Sequence, residues 1–393
     1  MRAYFKSMQM KKDLLIMYFC AAVAMCLLYA PQPIAPVFES ELGISRAKAG
    51  LFITALMVPL ALASILYGYL LEKLSIRTAL GVGFFLLGGA QIVFSLSSEY
   101  FWLLNIRGFE GLIIPVAMTG IMSYISQTTP KDQIASAIGA YIGVTIIGGF
   151  LGRFLSGLCT DYFGWRFFII IIGAMCLLCA LLVSKYCANV SASFLKPKLR
   201  DIACVLKIPH NLYIYLAMFG IFFAFQAVLN YMPFELSYIL GGEFSGTKIG
   251  AMYLGYALGV IISFNVKRIA CFFGSPLRAM IAGGVIFVLG LQFLHIQSYL
   301  VFFAVMLSLC IGFFISHAMA SAFINKMADE HKGIANGLYV SFYYCGGGLG
   351  SVLPGIIYLH SGWDAFLLAL SVINILAIVS LAYLWALQRK SVA

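Results

Sequence analysis

Twelve stretches of about 20 mostly apolar residues succeed one another along this chain. Each is long enough to cross, as a helix, the roughly 30 Å hydrocarbon core of a bilayer. Inside lipid the backbone must satisfy its own N–H and C=O groups, which leaves helices or closed barrels. Continuous apolar runs without two-residue alternation read as helices. The spans lie near Leu14 to Pro36, Lys48 to Leu71, Ala79 to Ser97, Tyr100 to Ile125, Ile134 to Leu158 and Phe167 to Val183. The second six lie near Leu212 to Tyr238, Ile249 to Phe264, Ala279 to Leu294, Tyr299 to Phe323, Ile334 to Tyr358 and Ala365 to Leu387. With 63% apolar and only 10% charged residues, the chain is far from the balance of a soluble domain.

Shifted by 198 positions, the sequence matches itself. Between Ala137 and Phe168, twelve of thirty-two residues recur between Ala335 and Phe366, among them Gly139/Gly337, Tyr141/Tyr339, Gly148/Gly346, Gly149/Gly347, Gly152/Gly350, Gly157/Gly355 and Trp165/Trp363. A repeat of half the chain length makes two large units, and parallel repeats in an apolar chain are a device by which transporters place a site between two rocking halves. The expected fold is therefore an all-α membrane protein of twelve transmembrane helices in two six-helix pseudo-symmetric halves. Residues 1–187 and 209–393 form the halves, joined by a cytoplasmic linker at 188–208.

Basic residues predict the orientation, because Lys and Arg in short loops stay in the cytoplasm. With the N-terminus inside, nineteen of them fall on cytoplasmic segments and only Arg46, Lys48, Arg166 and Lys248 face outward; Arg107 and Arg153 remain inside spans. Both termini are then cytoplasmic in a multi-pass protein of the cell membrane. The net charge of +11 reads as contact with anionic membrane lipids, with no nucleic acid as partner. The basic start, Met1 to Lys12, precedes an apolar run too long for a signal peptide, so the first helix is expected to stay as an anchor.

Six of the ten cysteines lie within spans, and Cys176-x-x-Cys179 reads as two small apolar side chains on a helix. No Gly-x-x-x-x-Gly-Lys-Ser/Thr occurs, and the glycine clusters lie inside spans. Neither a metal, a cofactor nor enzymatic chemistry is expected.

Three motifs carry a resemblance. After the second span the chain reads Gly68-Tyr-Leu-Leu-Glu72-Lys73-Leu-Ser75-Ile76-Arg77; the fourth holds Arg107-Gly-Phe-Glu110-Gly111, and the fifth Gly143-Val-Thr-Ile-Ile-Gly148-Gly149-Phe-Leu-Gly152-Arg153. The chain thereby resembles the major facilitator superfamily, and within it the bacterial twelve-helix drug-efflux-like branch. The first segment is similar to Gly-x-x-x-Asp-Arg-x-Gly-Arg-Arg, with Glu72 for the acid and Lys73 for the first base. The second is similar to Arg-x-x-Gln-Gly with Glu110 in place of Gln. The third is similar to the antiporter motif Gly-Pro-x-x-Gly-Gly, with Gly149 at the proline and Arg153 at the last glycine.

The resemblance implies a cytoplasmic latch at Gly68, Glu72, Lys73 and Arg77, for which inside-positive topology alone is an alternative. Arg107 and Glu110, about 10 and 15 Å into their span, share a face and are the candidate proton-coupling pair; a static structural pair is the alternative. Gly148, Gly149 and Gly152 suggest tight helix packing or a sliding seam between the halves. Arg153 is a gating candidate together with these glycines, and the plainer alternative is that it snorkels outward or pairs with Asp161.

The resemblance also implies a cavity lined by the first, fourth, seventh and tenth helices. Its candidate substrate contacts are Gln32, Gln226, Asn230, Tyr231 and His317, although a lone His317 reads more simply as a packed histidine. The expected function is secondary active transport of a small organic solute by alternating access, as proton-coupled export from a monomer. A proton symporter or facilitator for uptake remains open, as does a transporter-shaped receptor or lipid-handling membrane protein.

Overall fold

The computed structural model describes residues 2–73, 75–130, 132–190, 199–327 and 332–392. The helices in chain order are α1 (Arg2–Tyr29), α2 (Ala35–Leu42), α3 (Arg46–Lys73), α4 (Ile76–Leu96), α5 (Tyr100–Thr128), α6 (Ile134–Phe163), α7 (Trp165–Tyr186) and α8 (Leu199–Leu206). They continue as α9 (Pro209–Ile239), α10 (Gly246–Ala251), α11 (Tyr256–Phe264), α12 (Val266–Phe272), α13 (Pro276–Phe293), α14 (Tyr299–Met327), α15 (Lys332–Gly350) and α16 (Leu353–Val392). Eleven helical stretches are long and apolar enough to cross a membrane. The last, Ile334–Arg389, runs 56 residues and holds two crossings joined at Gly362. The twelve expected spans are thus present.

Large apolar side chains face outward along these helices, among them Phe85 on α4, Leu181 on α7, Leu289 on α13 and Leu376 on α16. Such a surface is stable only against another apolar phase. Inside the bundle, α1 packs on α6, α3 on α5 and α4 on α7 in the first half. In the second, α9 packs on α15 and α16, and α13 on α14. The halves meet where α3 lies against α15 and where α6 lies against α10 and α11.

The repeat survives as local structure. Gly164 and Gly362, 198 residues apart, both turn the chain at φ +80°, a region that a Cβ disfavours. The indole that follows each is satisfied: Trp165 Nε1 donates to Glu41 Oε2 (2.8 Å) and Trp363 Nε1 to Leu294 O (2.9 Å). Ser75 caps α4 by accepting from Thr78 N (3.1 Å), and Ser275 caps α13 by accepting from Arg278 N (3.2 Å).

Two spans depart from the regular helices expected. The first ends at Tyr29, because Pro31 and Pro33 have no N–H to continue the ladder, and the chain restarts as α2. The eighth passes through a short 3₁₀ turn at Met252–Gly255 between α10 and α11. The polar linker contains a helix, α8; residues 191–198 lie outside the described residues.

Candidate functional site

Arg107 is fully buried on α5 and, together with Glu110, ties four helices together. Its Nε donates to Phe52 O of α3 (3.1 Å), its Nη2 to Leu28 O (2.8 Å), and its Nη1 to Leu27 O (3.2 Å) and to Glu110 Oε2 (2.7 Å). The α1 carbonyls are available for a local reason. A regular helix would bond Leu27 O to the amide of residue 31, which is proline, while Gln32 N turns instead to Tyr29 O (3.1 Å). Glu110 is equally buried, and its second oxygen accepts from Gln91 Nε2 of α4 (2.5 Å). Four of the five guanidinium protons and both carboxylate oxygens are therefore engaged within one half.

Arg153 stands elsewhere. The sequence suggested that it snorkels or pairs with Asp161; in fact it is fully buried, because α6 points it inward across the mouth of the broken first span. Its Nε donates to Gln32 Oε1 (2.7 Å) and its Nη1 to Gly149 O (2.8 Å). The guanidinium carbon lies 3.7 Å from the ring centre of Tyr29 in its own half, and 5.2 and 4.7 Å from those of Tyr253 and Tyr256 in the other. Its Nη2, like Gln32 Nε2, has no hydrogen-bond partner. Asp161 is used differently: its carboxylate accepts from Gly246 N (2.7 Å), Thr247 N (2.8 Å) and Thr247 Oγ1 (2.7 Å), capping α10 from the opposite half.

The end of the bundle away from both termini holds the other hydrogen bonds to oxygen that join the halves among the described residues. Arg46 Nη1 donates to Tyr358 OH (2.7 Å), which donates to Glu235 Oε1 (2.7 Å). The hydroxyls of Thr54 and Ser351 lie 2.5 Å apart. Asn230 Nδ2 reaches Ser351 O (2.8 Å) and Gly50 O (3.4 Å). Backbones touch here too, since a Cβ on Gly157 would stand 2.1 Å from Gly246 O.

The glycines expected at a seam between halves lie inside one. A Cβ on Gly148 or Gly152 would meet the α1 backbone at Ala22 or Cys26, and Gly149 supplies the carbonyl that holds Arg153. Glycines that do meet the other half include Gly157 against Gly246, Gly250 against Phe154, Gly50 against Tyr231 and Gly348 against Val58, pairs whose members lie on different helices and so escape a motif search.

Among the remaining candidates, Gln226 is buried with neither end of its amide partnered, and the Tyr231 hydroxyl is likewise unpartnered. Asn230 belongs to the far-end contacts. His317 is paired through Nδ1 with Tyr339 OH (2.8 Å) and stacks on Phe313, a packed histidine. Arg77 donates to Ser184 O of α7 in its own half; the side chains of Gly68, Glu72 and Lys73 lie outside the described residues. Sequence reasoning missed Glu235, Tyr358 and Asp13. Asp13 is buried near the start of α1 and accepts from Tyr124 OH (2.6 Å), which accepts from Ala188 N (2.8 Å). It stands on α1 one residue before the expected first span.

Two helical halves that share a seam lined with unpartnered polar groups, in an envelope that faces lipid, define a membrane transporter rather than an enzyme. The sequence matches the Major Facilitator Superfamily over residues 17–328 and 214–393, and the chain belongs to that family. It is 27% identical to the inner membrane transport protein YnfM of Escherichia coli, over 94% of this chain and 90% of that one. The quinolone resistance protein NorA of Staphylococcus aureus is 21% identical, over 89% and 90%. The solved nucleoside transporter NupG shares the fold at a TM-score of 0.78 and 12% identity, covering 94% of this chain and 99% of that one.

Proposed function

We propose that this transporter exports a small organic solute in exchange for protons, its halves rocking about the seam so that the solute meets one side of the membrane at a time. The observation that carries the reading is the set of buried, unpartnered polar atoms at Gln32, Arg153, Gln226 and Tyr231. Buried polar groups without partners are rare in a settled interior, and a solute that supplies those partners is a physical reason to keep them. The contacts across the far end combine neutral hydrogen bonds, each worth about 1 kcal/mol net, with charge-assisted ones at Arg46 and Asp161, each worth about 1.5–3 kcal/mol, so parting the halves carries a cost that solute binding must offset. With both termini cytoplasmic, this closed end faces outside. Likeness to a drug-resistance protein supports export, and membrane lipids complete the surroundings of a transporter acting as a monomer.

Glu110 is the candidate proton carrier, because protonation would remove the charge that Arg107 pairs with and loosen α1 and α4 from α5 together. A second reading is favoured by the completeness of that network. If the pair never titrates, the protein is a facilitator, or a symporter whose proton rides elsewhere, with Asp13 the next buried carboxylate. The deciding experiment follows internal pH in proteoliposomes as a panel of organic solutes is added, wild type beside Glu110→Gln. Solute-dependent proton movement lost in the variant supports the exchanger; solute flux without proton movement in either supports the facilitator; no flux of any solute would remove the transport reading of the site.

A further inference from the structure

The buried charges of the seam do not balance. In the first half, Arg107 is matched by Glu110 at 2.7 Å. Among the described residues no carboxylate pairs with Arg153, although its side chain is fully buried. Asp161, the carboxylate nearest along α6, is committed to Gly246 and Thr247. The charge is met by neutral groups, chiefly Gln32 Oε1, Gly149 O and three tyrosines, of which Tyr29 lies closest. Ring faces attract a cation far less than an anion does, and a charge inside a membrane protein with no counter-charge is a costly arrangement.

Arg153 Nη2 and Gln32 Nε2 are both donors, both buried and both without partners. They belong to side chains already joined at 2.7 Å, so two unpartnered NH2 groups are carried by neighbouring side chains, one of them positively charged. Such a pair fits the two oxygens of a carboxylate. A neutral solute would leave the charge unbalanced, and a cationic one would add to it. The three rings narrow the class further, because Tyr29 lies on one half while Tyr253 and Tyr256 lie on the other: parting the halves separates flat apolar faces on either side of the guanidinium, room suited to a planar or aromatic body.

We infer that Arg153, with Gln32 beside it, is the anion-recognition group of the seam and takes the carboxylate of a small organic acid between the tyrosine faces. The inference rests on the transport reading of the same seam. It shifts recognition away from Arg107, four of whose five N–H groups and whose charge are already committed within its own half.

Binding is tested on the full chain in lipid nanodiscs, using thermal stabilisation by benzoate against its neutral relative benzamide, its cationic relative benzylamine, and hexanoate, phosphate and chloride. Saturable stabilisation by benzoate, without benzamide or benzylamine, is expected, with affinity falling at least about tenfold in Arg153→Gln, the scale of one lost charge-assisted hydrogen bond. Gln32→Glu supplies an internal counter-charge while retaining the contact to Arg153 Nε. It should abolish benzoate binding in a protein at least as heat-stable as the wild type, and it remains informative if Arg153→Gln does not fold. Benzoate binding that survives Gln32→Glu overturns the proposal, as does equal stabilisation by phosphate or chloride, or no stabilisation by any carboxylate. Counterflow in proteoliposomes separates the two readings. Arg153-dependent binding without flux leaves the site standing and removes transport; flux indifferent to solute charge and to Gln32→Glu leaves transport standing and removes the anion site.

Discussion

Arg107 and Arg153 are equally buried in the same half of the molecule, yet they stand in opposite kinds of surroundings. Arg107 draws on α1, α3 and its own α5, and through Glu110 on α4, all within one half. Arg153 faces the other half and is left with an idle N–H. The contrast is one of surroundings: a buried charge whose partners all belong to one unit is a rivet of that unit, loosened only by a change in its own charge state, and one whose surroundings are split between two units changes environment whenever they move.

That contrast is open to direct attack. The largest effect is expected from Arg107→Gln, which leaves Glu110 buried without its cation and frees the α1 carbonyls, at a cost of about 3–5 kcal/mol. Thermal unfolding in nanodiscs measures it beside Arg153→Gln, for which little loss is expected without solute; equal losses would erase the distinction. Glycines supply the second comparison. Gly152→Val overpacks α6 on α1, where a Cβ would stand 2.5 Å from Cys26 Cα, and should cost about 1–3 kcal/mol in any state. Gly157→Val should spare the halves and push the far end apart, read as a longer distance between spin labels at the exposed positions Tyr162 and Tyr238. An unchanged label distance together with a lowered melting temperature would place Gly157 among the rivets. Gln91→Leu removes one of the two groups that hold Glu110 and should cost about 1–3 kcal/mol, with no effect on benzoate affinity. The smallest change is expected of Asp161→Asn: below about 1 kcal/mol for a weakened cap, seen as a broader label-distance distribution at constant melting temperature.

Much of the frame was legible before any coordinate. The run lengths show twelve crossings, and the glycine after each half's fifth span reappears at φ +80° in both copies. The Arg107–Glu110 pair was readable because three-residue spacing places both on one face of one helix. What the sequence misjudged was Arg153, since its proximity to Asp161 along the chain suggested a partner that space assigns to α10. Of the two readings open to Gly148 and Gly152, tight helix packing holds and the seam between halves does not, since a four-residue spacing says that a helix presents a smooth face but not which helix meets it. Asp13 was overlooked because it stands where hydropathy begins to rise.

The sequence by itself determined that the chain must live in a bilayer as two sets of six helices, because backbone amides in lipid leave an apolar run of 20 residues no other economical structure. Only the tertiary structure decided which buried charge is complete and which is not. Partners that lie 55, 80 or 121 residues apart along the chain come together through the packing of whole helices, a geometry that no local pattern encodes.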